Sequence, residues 1–171
     1  NLNLNELVQQ VNGEFAERFE GRNLDLICIL QPEPLLIRAD SRRIWRVLEN
    51  LYVNVCKYAM PGTRVYVDAI KKDGKIQLSI KNISENPLNF QADELTERFI
   101  RGDVSRSTEG SGLGLSIAKN LTVLQHGSFN IYLDGDLFKV TITFDEAVKE
   151  KKPMPPMIVP EAVQEEAQQD A

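Results

Sequence analysis

The chain has 171 residues, of which 42% are hydrophobic and 26% charged, so it is long enough for one packed domain of ordinary soluble composition. Its net charge of −5 argues against electrostatic binding to nucleic acid, and no run approaches the ~20 apolar residues of a membrane span. The single histidine, His126, excludes a His-rich metal site. Cys28 and Cys56 stand far apart, which argues against a disulfide framework or zinc site and suits a reducing cytosol. Free cysteines are usually buried, so we expect two buried thiols. The start at Asn1, without an initiator methionine, predicts a piece of a longer protein.

The first half of the chain alternates between predicted helices and strands. Apolar residues at helical spacing predict a helix over residues 4–19, which Gly21 ends. Alternating residues predict a strand over 24–30 and a short extended piece over 35–38. Asp40 is placed as the N-cap of a second helix that runs to about Tyr58, and Pro61-Gly62 ends it.

The second half contains two predicted hairpins. Residues 64–71 and 75–82 alternate as strands around an Asp73-Gly74 turn, and residues 128–133 and 138–144 form the closing pair. Between them we expect a short helix near 92–99 and a third helix over 113–125, with His126 near its C-terminal end and a glycine at the left-handed position. This order predicts an α+β fold, a two-layer sandwich with a mixed, mostly antiparallel sheet and helices on one face.

The composition changes near residue 146. Residues 146–171 hold six acidic residues, three lysines and four of the eight prolines, without an aromatic residue. We therefore expect a domain over residues 1–145 and an acidic, proline-rich, disordered tail over 146–171. The alternative is a docking segment, built on Met154, Met157, Ile158 and Val159.

The second predicted helix carries a polar face opposite its apolar stripe. Its members stand at i, i+4, i+7 and i+8, within about 100° of arc, and are Asn50, Asn54, Lys57 and Tyr58. Asparagine is a mediocre helix former, so two of them one turn apart suggest a function. Their side-chain oxygens can ligate a hard cation, and the lysine can meet a phosphate. A simple solvated face is the other interpretation.

Three alternate glycines, Gly110, Gly112 and Gly114, precede the third helix. Such a loop lets backbone N–H groups converge, and the N-terminus of the helix favours an anion. The spacing fits neither a P-loop, which needs a lysine after the last glycine, nor the GxGxxG turn of dinucleotide-binding folds. Taken alone, the loop could equally be a flexible hinge.

Together, these motifs resemble the catalytic, ATP-binding domain of bacterial sensor histidine kinases, which belongs with gyrase and the heat-shock ATPase chaperones in the Bergerat-fold superfamily. The resemblance runs in unbroken order from Leu2 to about Phe144. It rests on the asparagine helix motif, the strand that ends at Asn82, the segment Glu97-Arg98-Phe99-Ile100-Arg101, and the run from Gly110 to Lys119. It implies a Bergerat-type sandwich that binds ATP and Mg²⁺.

The resemblance also implies residue roles. Asn54 would hold the magnesium ion, while Lys57 and Tyr58 would approach the phosphates and the ribose. A lid between the strand and the third helix would be packed onto the body by Phe99 and would reach phosphate through basic residues. The implied nucleotide contacts in the lid and the glycine loop are Arg101, Arg106, Gly110, Gly112, Gly114 and Leu115.

Asn50 carries mechanistic information. In hydrolysing relatives, and in anti-sigma-factor serine kinases, this place holds a glutamate that acts as a general base, whereas an amide cannot take up a proton at neutral pH. Activation of water is therefore disfavoured. That suits transfer to an imidazole of a protein substrate, with Asn50, Lys57 and Arg101 as the catalytic residues.

One motif departs from the family. Where the family has Asp-x-Gly-x-Gly, this chain has Asn82-Ile83-Ser84-Glu85-Asn86, and the family's Asp accepts a hydrogen bond from the adenine amine. Asn82 can still accept, but a neutral hydrogen bond is weaker than a charged one, so ATP binding is expected to be weaker by about tenfold. Ser84 and Asn86 restrict the backbone beside the base, and an amide that can also donate to guanine leaves base selectivity open.

The predicted function is therefore the ATP-binding half of a two-component sensor histidine kinase, which donates the γ-phosphoryl group of Mg-ATP to a histidine on a separate dimerisation and phosphoacceptor domain. The expected partners are ATP, that domain and a response regulator, with no nucleic acid and no membrane contact by this fragment. We expect a cytoplasmic location, while the parent protein could be anchored in the inner or plasma membrane. Two alternatives remain: a degenerate nucleotide-binding or scaffolding module, which the changed motif at Asn82 favours, and a stand-alone serine kinase, which Asn50 disfavours.

Overall fold

The computed structural model describes residues 1–88 and 113–148. In these two ranges there are three helices and seven strands. The helices are α1 (Leu4–Gly21), α2 (Ser41–Tyr58) and α3 (Gly114–Leu124). The strands are β1 (Leu2–Asn3), β2 (Asp25–Leu30), β3 (Leu36–Ile37), β4 (Arg64–Lys72), β5 (Lys75–Ile83), β6 (Ser128–Asp134) and β7 (Leu137–Asp145). The short helix predicted near 92–99 and nearly all of the predicted tail lie outside the described residues.

The main sheet has five strands in the order β2-β4-β5-β7-β6. β2 runs parallel to β4, and every other neighbouring pair in this sheet is antiparallel. Alternate residues of the central strands, such as Val67, Leu78 and Ile142, join the apolar sides of the helices in one core. Tyr66 and Tyr132, on the other face, are exposed. The predicted two-layer sandwich, with a mixed sheet and helices on one face, is confirmed.

α2 begins where the sequence predicts. The Oδ1 atom of Asp40 accepts hydrogen bonds from the N–H groups of Arg42 and Arg43, at 2.9 and 3.1 Å, which satisfies two of the free donors at the helix start. The backbone N–H of Asp40 itself donates to the side-chain oxygen of Gln125, just after α3, at 2.8 Å. The start of α2 is thereby joined to the end of α3.

The turns depend on left-handed backbone at particular residues. Asp73 and Gly74 have φ angles of 51° and 72°, as a type I′ hairpin requires, so that prediction is confirmed. At the end of α3, however, His126 rather than the following glycine takes the left-handed position, with φ of 65°. Gly127 is required for a different reason, because a Cβ atom there would lie 2.6 Å from the ring of Phe144.

A second, small sheet was not predicted. β1 pairs antiparallel with β3, and both strands are too short to give a periodic pattern. Glu146 forms a bridge to Ile37, and the N–H of Ala147 donates to the carbonyl of Leu36 at 2.8 Å. Backbone pairing thus continues for two residues beyond the predicted domain boundary at 145.

The two cysteines differ. Cys56 is buried in α2, as predicted, and burial raises the pKa of its thiol. The prediction of a buried Cys28 is wrong, because β2 is the end strand of the sheet and leaves this side chain exposed on one side. Among residues 1–88 and 113–148, no helix has the length and apolar character needed to cross a bilayer.

Candidate functional site

Two segments contact the C-terminal half of α2: the start of α3 and the loop after β5. Gly114, the first residue of α3, lies against Asn50, since a Cβ atom on the glycine would be 3.6 Å from the Asn50 Oδ1 atom. At the other end of the same helix face, the N–H of Glu85 donates to the carbonyl of Tyr58 at 2.8 Å. The structure therefore brings α2 into contact with both of the other predicted motifs.

The predicted polar face of α2 does point away from the core. Asn50, Asn54 and Tyr58 are half-buried and Lys57 is exposed, whereas the opposite stripe, including Ile44 and Leu48, is buried. The Asn50 Nδ2 atom donates to the carbonyl of Arg46 at 2.8 Å. This bond holds the amide in one orientation, with its oxygen on the side of Gly114.

Asn82 is a buried polar residue in an apolar row. It continues the core-facing positions of Ile76, Leu78 and Ile80 along β5, and it is only 3% exposed. Its Oδ1 atom is buried and has no hydrogen-bond partner within the described ranges. A buried acceptor without a partner costs about 1–3 kcal/mol, so such an atom usually marks a place where a ligand or water donates.

The loop after β5 is held by its own polar groups. The Ser84 N–H donates to the carbonyl of Asp136 at 2.7 Å, and its hydroxyl donates to the carbonyl of Asn86 at 2.7 Å. Ser84 also forms an isolated bridge with Ala59, directly after α2. Neither Ser84 nor Asn86 has a positive φ angle, so the residues that replace the family's glycines cause no left-handed strain.

Arg22 is a site-supporting residue that sequence reasoning missed. Its Nε atom donates to the carbonyl of Cys56 at 2.8 Å, and a terminal nitrogen donates to the carbonyl of Ala59 at 3.2 Å. The same nitrogen lies 3.5 Å from a carboxylate oxygen of Glu85. Arg22 thus ties the last turn of α2, which carries Lys57 and Tyr58, to the loop after β5. No sequence pattern indicates that a residue after α1 reaches so far along the chain.

In the described part of the chain, no side chain caps the N-terminus of α3. Leu113 stands at the N-cap position and provides no side-chain hydrogen bond, and the first helical bond runs from the Ile117 N–H to the Leu113 carbonyl. The N–H groups of Gly114 and Leu115 therefore have no acceptor within the helix. The Leu115 side chain is buried in the core, so only its backbone could face a ligand. Five residues with predicted roles lie outside the described residues: Phe99, Arg101, Arg106, Gly110 and Gly112.

The chemistry available for a metal ion is limited. No cluster of three or more His, Cys, Asp or Glu side chains suited to a metal ion occurs in the described part of the chain. The Asn54 amide oxygen is a suitable ligand for a hard cation. A cation at this point would therefore need further ligands from a bound molecule and from water.

Comparisons with known proteins show the family of the chain. A family model for histidine kinase-, DNA gyrase B-, and HSP90-like ATPases matches residues 39–148. The chain is 30% identical over 128 residues to the signal transduction histidine-protein kinase BaeS of Escherichia coli (strain K12). This alignment covers 74% of this chain and 27% of that protein. It is 29% identical over 130 residues to the sensor histidine kinase RppB of Synechocystis sp., covering 75% of this chain and 29% of that protein.

The similarity extends to solved structures. The catalytic domain of histidine kinase ThkA superposes with a TM-score of 0.73 at 25% identity, covering 85% of this chain and 93% of that one. The chain thus spans less than a third of the two curated relatives but nearly the whole of this catalytic domain.

We expect Arg22→Ala to lower the free energy of unfolding by about 1–2 kcal/mol, because two carbonyl oxygens at the end of α2 lose a charged donor. Glu85→Gln removes only the exposed ion pair and should cost about 0–1 kcal/mol. Urea-induced unfolding, followed by circular dichroism, measures both. A loss for Glu85→Gln as large as that for Arg22→Ala would show that the carbonyl contacts are unimportant.

Proposed function

Because the chain belongs to the family of histidine kinase-, DNA gyrase B-, and HSP90-like ATPases, we propose that residues 1–145 form the ATP-binding catalytic domain of a two-component sensor histidine kinase. In this function the domain binds ATP with Mg²⁺, and the γ-phosphoryl group passes to a histidine on a separate dimerisation and phosphoacceptor domain of the parent protein. A response regulator would be the next acceptor. We propose a cytoplasmic location for this domain. Residues 146–171 are proposed as the tail, and its first two residues, Glu146 and Ala147, still pair with β3.

The observation that carries the proposal is the junction of the polar face of α2 with the uncapped start of α3. The contact between Gly114 and Asn50 joins these two segments. Free N–H groups at a helix N-terminus attract an anion, and an exposed lysine on the neighbouring helix adds positive charge. This combination suits a polyphosphate. The predicted contacts from Arg101, Arg106, Gly110 and Gly112 would add to it.

The buried amide of Asn82 supports the base end of the site. Its unpartnered Oδ1 atom can accept a hydrogen bond from an exocyclic amine such as that of adenine. The loop with Ser84 lies beside it and contacts the end of α2 through the Ala59 bridge. We expect Tyr58, in the last turn of α2, to contact the sugar between base and phosphates.

Asn54 fits the expected magnesium ion. An ion held by one amide oxygen must take its other ligands from phosphate oxygens and water, which is the usual way that proteins bind Mg²⁺ with nucleotides. When bound, the ion would neutralise part of the phosphate charge. The protein itself would contribute one ligand, the amide oxygen of Asn54, from a fixed position on α2.

The proposed reaction needs a nucleophile from outside this chain. The only histidine, His126, follows the far end of α3, an 11-residue helix that spans about 16 Å from the uncapped N-terminus. An imidazole nitrogen of the phosphoacceptor domain would form the P–N bond as the bond between the γ-phosphorus and the β-phosphate oxygen breaks, and ADP would leave. Asn50 cannot accept a proton from water at neutral pH, so transfer is favoured over hydrolysis.

The direct test is phosphoryl transfer. With γ-labelled ATP and Mg²⁺, we expect the chain to label the separately prepared phosphoacceptor domain of its parent protein, and not a version of that domain whose histidine is replaced. Failure to transfer at saturating Mg-ATP would refute the kinase proposal. Calorimetry on the same sample then distinguishes a nucleotide-binding module, which still binds ATP, from a scaffold that does not.

Asn54→Ala is expected to remove most of the effect of magnesium on nucleotide affinity. Calorimetry with ATP should show binding about tenfold tighter with Mg²⁺ than with EDTA in the unaltered chain, and nearly equal affinities in the variant, because the amide ligand is missing. Asn130→Ala, at an exposed position of β6, is the matched control. A magnesium effect of unchanged size in Asn54→Ala would remove Asn54 from the metal site.

Asn82→Asp is expected to tighten ATP binding by about tenfold, because a charged acceptor makes a stronger hydrogen bond to the adenine amine. The measurement is calorimetry at mildly alkaline pH, where the new carboxyl group is ionised. Asn130→Asp adds the same charge elsewhere and should leave ATP affinity unchanged. Weaker ATP binding in Asn82→Asp, or an equal gain for GTP, would contradict the assignment of this residue to adenine.

A further inference from the structure

The outer edge of β2 differs from an ordinary exposed strand. β2 ends the five-stranded sheet, and within the described residues it pairs only with β4. Its residues 26–30 read Leu-Ile-Cys-Ile-Leu, without charge or proline, and Ile29 is 61% exposed. Edge strands usually carry charges, prolines or bulges that prevent pairing. β6, at the opposite edge, has polar residues at alternate positions on its exposed side.

The free backbone groups of β2 can be identified. The Asp25 N–H donates to the carbonyl of Thr63 at 3.1 Å, on the side of β4. Because backbone groups alternate in direction along a strand, residues 25, 27 and 29 face β4. The N–H and C=O groups of Leu26, Cys28 and Leu30 therefore point outward.

We propose that the outer edge of β2 is a self-association surface, where β2 of a second copy of this chain pairs antiparallel around a twofold axis at Cys28. A twofold axis perpendicular to the sheet relates two such strands and keeps both helical layers on one face. It places Cys28 opposite Cys28 of the second copy, and Leu26 opposite Leu30 of the second copy. All three outward-facing residues then lie in hydrogen-bonded pairs, each of which exchanges two bonds.

The side chains suit this register. On the open sheet face, Ile29 would lie opposite Ile27 of the second copy, and this contact would cover the exposed surface of Ile29. On the helical face, a groove of about 290 Å³ lies between α1 and the first half of β2, and Ala16, Phe19, Leu24 and Leu26 are among its lining residues. The register brings Leu30 of the second copy to this groove.

Charges along the strands do not oppose a second copy in this register. Asp25, the only charged residue of β2, would lie opposite Gln31 of the second copy, so no two carboxylates face each other along the strands. The net charge of −5 on each chain opposes association at long range, and salt screens that repulsion. We therefore expect self-association to strengthen with ionic strength, whereas a basic partner would bind more weakly in salt.

The test is sedimentation velocity of the full chain over a range of concentrations, at low and moderate salt. We expect a monomer–dimer equilibrium. Cys28→Pro removes an outward N–H but none of the bonds to β4, and Ile29→Lys places a charge at the edge; each should weaken dimerisation at least tenfold. Tyr132→Lys, at a 56% exposed position of β6, is the control and should leave it unchanged. Thermal unfolding checks that each variant is folded. If Cys28→Pro is unfolded, the result for Ile29→Lys alone tests the proposal.

A short bismaleimide provides an independent measurement, since the two Cys28 Cα atoms would be about 5.5 Å apart. Each thiol adds across one maleimide double bond, and we expect a product of twice the chain mass that disappears in Cys28→Ala, because Cys56 is buried. A chain that stays monomeric at all concentrations, or a dimer that survives Ile29→Lys, would overturn the proposal. So would a dimer that Tyr132→Lys disrupts.

Discussion

The structure depends on the two faces of α2. Its apolar stripe is buried between α1, α3 and the sheet, and this burial fixes the rotation of the helix. A turn of the helix by one residue, about 100°, would expose Leu48 and bury polar side chains, at a cost of several kcal/mol. The outward direction of Asn50, Asn54 and Lys57 is therefore a consequence of the core. At the C-terminal turn of α2, the hydrogen bonds from Arg22 add a second constraint.

The neighbouring segments leave polar groups open around α2. The start of α3 has no side-chain cap, and Asn82 has a buried oxygen without a partner in the described residues. A ligand that donates to the Asn82 oxygen and presents an anion to the start of α3 would make these hydrogen bonds on binding, and their free energy would add to its affinity. The amide at Asn82 costs less to bury than a carboxylate would, but it is a weaker hydrogen-bond acceptor for the ligand. A buried carboxylate without a ligand would be more costly to hold, but it would accept a hydrogen bond more strongly once the ligand arrives.

Local patterns were sufficient to predict much of this from the sequence. The Asp40 cap, the α2 stripe and the Asp73-Gly74 turn act within a few residues, and each appears as expected. Contacts between distant segments were not predictable, because no local pattern records them. Arg22 and the β1–β3 pair belong to this class. Cys28 was misjudged because alternation shows which face a residue takes but not whether its strand lies at the edge of the sheet.

The crossover connection from β2 to β4 explains both the position of α2 and the position of β2 at the edge of the sheet. β2 and β4 are parallel neighbours, and parallel strands need a crossover, which here contains α2. The crossover places α2 between α1, which contacts β2, and α3, which contacts β6. It also leaves β2 at the edge, two strands away from β5 and Asn82. Pairing of two copies through β2 would therefore extend the sheet away from α3, and the junction of α2, α3 and β5 would stay accessible to nucleotide in each copy.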